Sequence, residues 1–306
     1  MRLLSIVAGA ISVLAFGSAG SAETRLVMLG TGTPVPDHSR AGSGLAVIHD
    51  GEAFLFDAGG GVVQRMIEAN ETFGIEALYP TNVTRMFLTH LHSDHTLDYP
   101  ELAATYWWRC ETPLRAWGPV GLQAMTDGYY DMQAADIEIR TSGSNPVNDP
   151  EAYRVDVTEI DEPGIVYDEG GVTVEAFAVN HGDIEPSYGY TVTTPDGKIV
   201  FSGDTAYSET VRDAARGADI LVHEVISEEG WSALSKDWQA YHRAAHTLTG
   251  ELARLAGEAG PELLVLTHIL HYGAPIETAL EEVQAQYDGR VVLGGDLDTF
   301  DVPIRD

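Results

Sequence analysis

Four short segments along the chain have the hydrophobic pattern of buried or half-buried strands. Met86–Leu88 is apolar at every position, and Val172–Val179 largely alternates between apolar and polar residues. Lys198–Phe201 and Leu263–Leu266 are two further short, largely apolar runs. Segments of this length and pattern predict strands rather than helices. Each one is followed within a few residues by a histidine or an aspartate, so the candidate chemistry lies where the strands end.

Three other segments have apolar residues at near-helical spacing. These are Leu97–Trp108, Leu122–Met132 and Leu248–Ala259. The last buries leucines on one face and is followed by Gly260 and then by a proline, which is a typical helix C-terminus.

Aromatic residues near the first of these predicted helices are candidates for a substrate pocket, although helix and strand core is the preferred interpretation. They are Tyr106, Trp107, Trp108 and Trp117.

The first residues of the chain have the pattern of a cleaved secretory signal. Arg2 supplies the positive region, 3–16 is an apolar run, and 17–22 is rich in small residues. The apolar run is too short for a permanent membrane anchor. We therefore expect a signal peptide at 1–22, one catalytic domain at 23–306, and a periplasmic or secreted protein with no membrane anchor after cleavage.

The charge is strongly negative, at −30 over 306 residues, with Lys198 and Lys236 the only lysines. Residues 136–170 hold ten acidic residues against Arg140 and Arg154. Because nucleic-acid binding rests on Lys and Arg contacts to phosphates, this composition predicts that nucleic acid is not a partner.

Four residues that can bind a metal fall within six positions of the stretch FLTHLHSDH. His90 and His92 are two apart on an extended segment, so both can face one ion. The chain then turns, and Asp94 and His95 can face a second ion. Imidazole and carboxylate ligands are typical of zinc.

Three later strand ends can complete these two sites. His181 follows the predicted strand Val172–Val179 and can join His90 and His92. His268 can join Asp94 and His95, and Asp204 has two oxygens that can bridge the two ions. The sequence thus predicts two Zn²⁺ ions, with Mn²⁺ or Fe²⁺ as alternatives.

Nine stretches, spanning about residues 25–270, carry a resemblance to a known family. They are LGTGTPVPDHSRAGSG (29–44), FLFDAGGG (54–61), FLTHLHSDH (87–95), WGPVGL (117–122), VNHGDIEPSYGY (179–190), FSGDT (201–205), ADILVHE (218–224), AAHTLTGELARLAGEAG (244–260) and VLTHIL (265–270). With these stretches the chain resembles the metallo-β-lactamase superfamily, in particular its ribonuclease Z and arylsulfatase-like branch.

The resemblance implies an α/β fold, a four-layer αββα sandwich of two mixed sheets flanked by helices. It also implies that the seven residues named above are the metal ligands, with Asp94 contributing to catalysis as well. Asp57 matches a buried carboxylate that orients ligands. Glu224 and His246 match a proton-donating pair in which His246 is the general acid, and His223 is a further supporting group.

The resulting prediction is a secreted dinuclear zinc hydrolase that attacks a small-molecule ester with a metal-bridging hydroxide. Asp204 in FSGDT favours phosphodiester, sulfate ester or lactone hydrolysis, because the antibiotic-degrading branch usually has another residue there; small phosphodiesters or aryl sulfates are the main expectation. Three alternatives remain open: a β-lactam or lactone ring hydrolase, ribonuclease Z-type RNA processing, and a non-catalytic zinc-binding protein. A homodimer is compatible with the sequence.

Overall fold

The structure is a computed structural model that describes residues 24–304. The predicted signal peptide at 1–22 lies outside these residues. Within them the strands are β1 (Thr24–Gly30), β2 (Gly44–His49), β3 (Glu52–Phe56), β4 (Arg85–Phe87), β5 (Arg115–Pro119), β6 (Asp156–Ile160), β7 (Gly164–Glu169), β8 (Val172–His181), β9 (Ile184–Thr194), β10 (Gly197–Phe201), β11 (Ile220–Ile226), β12 (Leu263–Leu270), β13 (Val291–Leu293) and β14 (Thr299–Val302).

Helices connect these strands. The α-helices of residues 24–304 are α1 (Val62–Phe73), α2 (Ser93–Thr96), α3 (Tyr99–Ala104), α4 (Leu122–Ser142), α5 (Glu209–Ala215), α6 (Glu228–Ser232), α7 (Lys236–Ala245), α8 (Thr249–Ala259) and α9 (Glu277–Gln284). Across the same range, no helix combines the length and the hydrophobicity that a bilayer crossing needs.

The strands form two seven-stranded mixed sheets. The first has the order β14-β1-β2-β3-β4-β5-β6 and the second β13-β12-β11-β10-β9-β8-β7. Strands β3 to β6 are parallel to one another in the first sheet, and β10 to β13 are parallel in the second. Neighbouring parallel strands end at one edge of their sheet, so the loops that follow them are brought together there.

The two sheets pack face to face through a layer rich in aromatic rings. Phe56 stacks on Phe87 at 5.0 Å between ring centroids, and Phe87 stacks on Trp117 at 4.8 Å. From the opposite sheet, Phe201 lies 4.7 Å from Phe56 and Tyr190 lies 6.0 Å from Phe87. Aromatic rings bury large apolar areas, so this layer holds the strand ends of both sheets in fixed relative positions.

Helices cover both outer faces of the sandwich. Val62 and Met66 of α1 and Tyr99 of α3 pack in one outer apolar cluster on the first sheet. Leu252 of α8 and Val283 of α9 pack in another on the second sheet. The predicted αββα arrangement is therefore confirmed.

The helix predicted over Leu97–Trp108 is wrong in its extent. Within that range only α3 (Tyr99–Ala104) is an α-helix, with Pro100 in its first turn, and a short 3-10 helix begins at Trp107. Tyr106 then adopts a left-handed backbone with φ of 62°, which ends the helical path. By contrast, α8 ends as predicted at Gly260, which has φ of 66°.

Of the four aromatic residues considered for a substrate pocket, Trp107 and Trp117 are buried in the core, as preferred. Trp108 stacks on the half-exposed Tyr106 at 5.6 Å, and Arg140 of α4 lies over its ring. Tyr106 and Trp108 therefore pack against the C-terminal end of α4.

Candidate metal centre

The stretch after β4 places its histidines at the edge where the two sheets meet. The backbone remains extended beyond Phe87, since Leu88 N donates to Trp117 O at 2.8 Å and Asp57 N donates to Phe87 O at 2.9 Å. His92 is the N-cap residue of α2, so Asp94 and His95 lie in the first turn of that helix. The strand and the helix start therefore present the four side chains to one small volume.

Three imidazole rings converge in the first predicted ligand group. His90 Nε2 lies 3.0 Å from His92 Nδ1, and His181 Nε2 lies 3.1 Å from the same atom. His181 Nδ1 donates to Ala245 O at 2.9 Å, so its Nε2 is the atom left for a ligand bond. Ligands about 2.0–2.1 Å from a tetrahedral zinc stand about 3.3 Å apart, and these spacings fit that set.

The second predicted group also assembles. Asp94 Oδ2 lies 3.0 Å from His268 Nε2 and 3.6 Å from His95 Nε2. His268 has φ of 44° although it is not glycine. Such backbone strain persists only when the surrounding structure enforces it, and it concentrates at functional sites.

Asp204 stands between the two groups. Its Oδ2 lies 3.4 Å from His268 Nε2 and 3.5 Å from His95 Nε2 in the second group, and 3.8 Å from His181 Nε2 in the first. The seven predicted ligand residues thus form one continuous buried cluster, in which His92 alone is partly exposed.

Asp57 supports this cluster from behind. It accepts hydrogen bonds from Thr89 N at 2.8 Å and from His95 Nδ1 at 2.7 Å. The second bond leaves His95 Nε2 as the free nitrogen of the ring. That nitrogen is buried, has no hydrogen-bond partner among the described residues, and lies close to the carboxylates of Asp94 and Asp204. A bound cation would satisfy it, so the donor set fits a metal.

The ionisation of the cluster favours a cation. Burial, with His95 nearby, lowers the pKa of His90 well below its usual value. Burial also acts to lower the pKa of His95, but the carboxylates of Asp204 and Asp57 outweigh it and hold that pKa well above the usual value. Burial would raise the pKa of Asp204, but His268 and His95 keep it well below its ordinary value. Carboxylates that hold protons on neighbouring imidazoles would hold a metal ion by the same attraction.

Glu224 and His246 form a hydrogen-bonded pair beside the ligand cluster. His246 Nδ1 lies 3.3 Å from Glu224 Oε2, while Glu224 Oε1 accepts from Thr247 N at 2.8 Å. The His246 ring centroid is 5.0 Å from that of His181 and 6.0 Å from that of His268. An imidazole held in this way by a buried carboxylate is suited to proton transfer next to the metal ligands.

His223 is apart from this arrangement. Its side chain is fully buried, its Nδ1 faces Glu224 O, and burial lowers its pKa. Residues on either side of it in β11 alternate between the two faces of the sheet, so His223 and Glu224 point in opposite directions. It does not belong to any of the metal-capable groups in residues 24–304.

Sequence reasoning missed two sets of residues near the site. Asp296 accepts from Thr31 N at 3.0 Å, Ala41 N at 2.7 Å and Arg65 Nε at 3.1 Å, so it anchors the loop after β1. Trp238 and His242 of α7 line a cleft beside His246. Asp296 follows the short apolar run Val291–Leu293 and two glycines, which is a local signal that could have found it. Trp238 and His242 follow no predicted strand and form no compact motif.

Comparisons with known proteins agree with this geometry. Residues 52–269 match the family model described as the β-lactamase superfamily domain. The chain belongs to the β-lactamase superfamily. It is 34% identical over 282 residues to ribonuclease Z of Mycobacterium sp. (strain KMS), which covers 90% of this chain and 95% of that protein.

Solved structures show the same fold. The metallo-β-lactamase fold protein YhfI from Bacillus subtilis has a TM-score of 0.66 and 20% identity, covering 90% of this chain and 98% of that one. The short form of human tRNase Z has a TM-score of 0.65 and 22% identity, covering 92% and 100%. Together with the ligand cluster, the family match identifies a metal-dependent hydrolase.

Two expectations from the sequence are contradicted by these relatives. The predicted substrate class of small phosphodiesters or aryl sulfates is wrong, and so is the prediction that nucleic acid is not a partner, because relatives over almost the whole chain are named ribonuclease Z. The physical reason is that net charge is a sum over the whole chain and does not describe any single part of its surface. Phosphate would instead be bound at the local cluster of predicted metal ligands, which the net charge does not reveal.

Proposed function

We propose that the chain is a ribonuclease Z-type phosphodiesterase that cleaves RNA with two bound zinc ions. One combined observation carries the proposal. A chain named ribonuclease Z aligns with nearly all of this one at 34% identity, and the two ligand groups lie beside the Glu224/His246 pair in a single site. Alternative metals are Mn²⁺ and Fe²⁺.

The ligand groups suggest how the ions would be held. His90, His92 and His181 would hold one ion, while Asp94, His95 and His268 would hold the other. When bound, such ions lower the pKa of a coordinated water to about 7 and polarise a phosphate oxygen. Asp94 would belong to the second group, and Asp204, which lies between the two groups, would set the spacing between them.

His246 would donate the proton that the leaving oxygen of RNA needs. A ribose oxygen leaves poorly as an alkoxide, so protonation contributes strongly to the rate. Glu224 would keep the imidazole oriented through its contact with His246 Nδ1, which leaves Nε2 as the atom that donates to the substrate. Its bond from Thr247 N holds the carboxylate in place. A protein that only stores metal would not need this pair.

The acidic surface restricts how RNA would bind. Arg85, Arg115 and Arg140 each lie 2.8–3.2 Å from a carboxylate. Cations that are already paired make weak phosphate contacts, so we expect RNA to be held mainly at the metal centre. The affinity should therefore fall less steeply with salt than it does for proteins with many Lys and Arg contacts.

The test is cleavage of a precursor tRNA that carries a 3′ extension. Purified protein reconstituted with zinc should cut this RNA at one position, and chelation of the metal should abolish the cut. The control variant is His49→Ala, which should still cleave the RNA. His49 is buried at the end of β2 that lies away from the site, where it pairs with Thr24. A protein with its full metal content that leaves RNA intact would refute the proposal.

A further inference from the structure

An apolar cleft of about 450 Å³ opens beside the metal centre. Pro34 and Val35 of the loop after β1 form one side, and Trp238 and His242 of α7 form the other. Tyr272, which follows β12, lines the cleft between them. The volume falls in the range of pockets that bind small organic groups, about 300–1,000 Å³.

The chemistry of the cleft does not suit a phosphate. No lysine or arginine of the described residues lines it. Burial, together with nearby His246, lowers the pKa of His242 to about 4, so this imidazole is neutral at physiological pH. The Tyr272 hydroxyl lies 2.8 Å from His242 Nε2, and burial raises the pKa of Tyr272, so this group is neutral too. The walls thus offer apolar and aromatic contacts with a few neutral polar atoms.

The cleft presents an aromatic surface to solvent. Trp238 is 56% exposed and stacks on His242 with 5.5 Å between ring centroids and an interplanar angle of 20°. Tyr241 is also exposed and meets Trp238 edge-on at 5.5 Å. Large exposed aromatic side chains beside a catalytic site commonly contact a ligand, and nucleobases stack on such rings regardless of base identity.

The position of the cleft fixes which part of an RNA would reach it. Its wall residue His242 lies 5.9 Å from His246 between ring centroids, and His246 lies 6.0 Å from His268 of the ligand cluster. The cleft therefore borders the proton donor, and Ile269, the residue after His268, also lines it. A group attached to the leaving oxygen that His246 protonates would lie next to this cleft.

We propose that this cleft binds the nucleobase of the nucleotide that carries the leaving oxygen, with Trp238 as its stacking surface. The inference rests on the proposed RNA-cleaving function and adds a determinant of substrate binding to it. Stacking would place the leaving oxygen next to His246, so the base contributes to both binding and orientation.

The test compares two RNA substrates that differ only in the nucleotide on the leaving side, which is either normal or abasic. The wild-type protein should cleave the normal substrate with a kcat/KM about 5- to 150-fold higher, the range expected for the loss of one base stack. Trp238→Ala should remove this preference, and Trp238→Phe should retain most of it. Tyr79→Ala, which removes an exposed aromatic side chain that does not line the cleft, should retain all of it.

A binding measurement separates this proposal from the proposed function. Adenosine, titrated calorimetrically, should bind the wild-type protein saturably and Trp238→Ala more weakly, while ribose should not bind. Adenosine binding without any RNA cleavage would support the cleft and refute the RNA-cleaving function. Equal cleavage of both substrates, or no difference between wild type and Trp238→Ala, would overturn the cleft proposal. Trp238→Ala could also keep the preference for the normal over the abasic substrate while its sedimentation coefficient changes. That result would overturn the cleft proposal and indicate that Trp238 contacts another copy of the chain.

Discussion

Replacing His246 with alanine is expected to slow RNA cleavage by about 10²–10⁴-fold, the usual contribution of a positioned general acid. The side chain is buried and lies between Glu224 and the ligand rings, so its removal takes away the proton donor without removing a predicted ligand. Glu224 loses one contact but keeps the hydrogen bond from Thr247 N at 2.8 Å. The cost in stability should therefore be moderate, about 1–3 kcal/mol.

The assay compares two leaving groups in the same variant. Cleavage of RNA releases a poor leaving group, whereas hydrolysis of bis-p-nitrophenyl phosphate releases p-nitrophenolate, which departs without a proton. His246→Ala should therefore lose far more activity on RNA than on the activated ester, with its metal content unchanged. His49→Ala removes a similarly buried histidine far from the site. This variant should lose only a little activity, and the loss should be the same on RNA as on the activated ester. Equal large losses in His246→Ala, or loss of metal, would refute the proton-donor role.

Three other predictions follow from particular contacts. Asp57→Asn should weaken metal binding about 10–100-fold, because the carboxylate that orients His95 is lost; competition with a chelating dye would measure this, and unchanged affinity would contradict it. Phe87→Ala should lower the free energy of unfolding by about 3–5 kcal/mol, since it removes a fully buried ring stacked on two others; urea denaturation would measure this, and a loss under 1 kcal/mol would contradict it. The signal peptide predicted at 1–22 would give a mature N-terminus at Glu23 in the periplasm or medium, and N-terminal sequencing that finds Met1 on a cytoplasmic protein would contradict this prediction.

The close grouping of the predicted ligand residues could be anticipated from the sequence because their stretches each follow a recognisable strand. The stretch after Met86–Leu88 and the histidine after Val172–Val179 carry strong local signals, namely an apolar run and then a metal-type residue. The αββα fold followed from the same stretches through their resemblance to a family. The structure adds that Asp204 lies between the two groups, at 3.4 Å from His268 and 3.8 Å from His181.

Other features could not be predicted because they depend on contacts between distant segments. Asp296 binds Thr31 and Ala41 across more than 250 residues, and no local pattern marks such a contact. The cleft at Trp238 forms only when α7 packs beside the loop after β1. The substrate class was missed for a related reason, because net charge averages over a surface and does not report a local phosphate site.

The central claim is that this chain cleaves RNA with two metal ions held across Asp204. The most direct measurement is a titration of zinc into metal-free protein, with RNA cleavage and bound metal followed in the same samples. We predict that cleavage rises until about two equivalents are bound, and that Asp204→Ala binds at least one equivalent fewer and is inactive. Full RNA cleavage by the metal-free protein, or two bound equivalents without any cleavage, would contradict the claim.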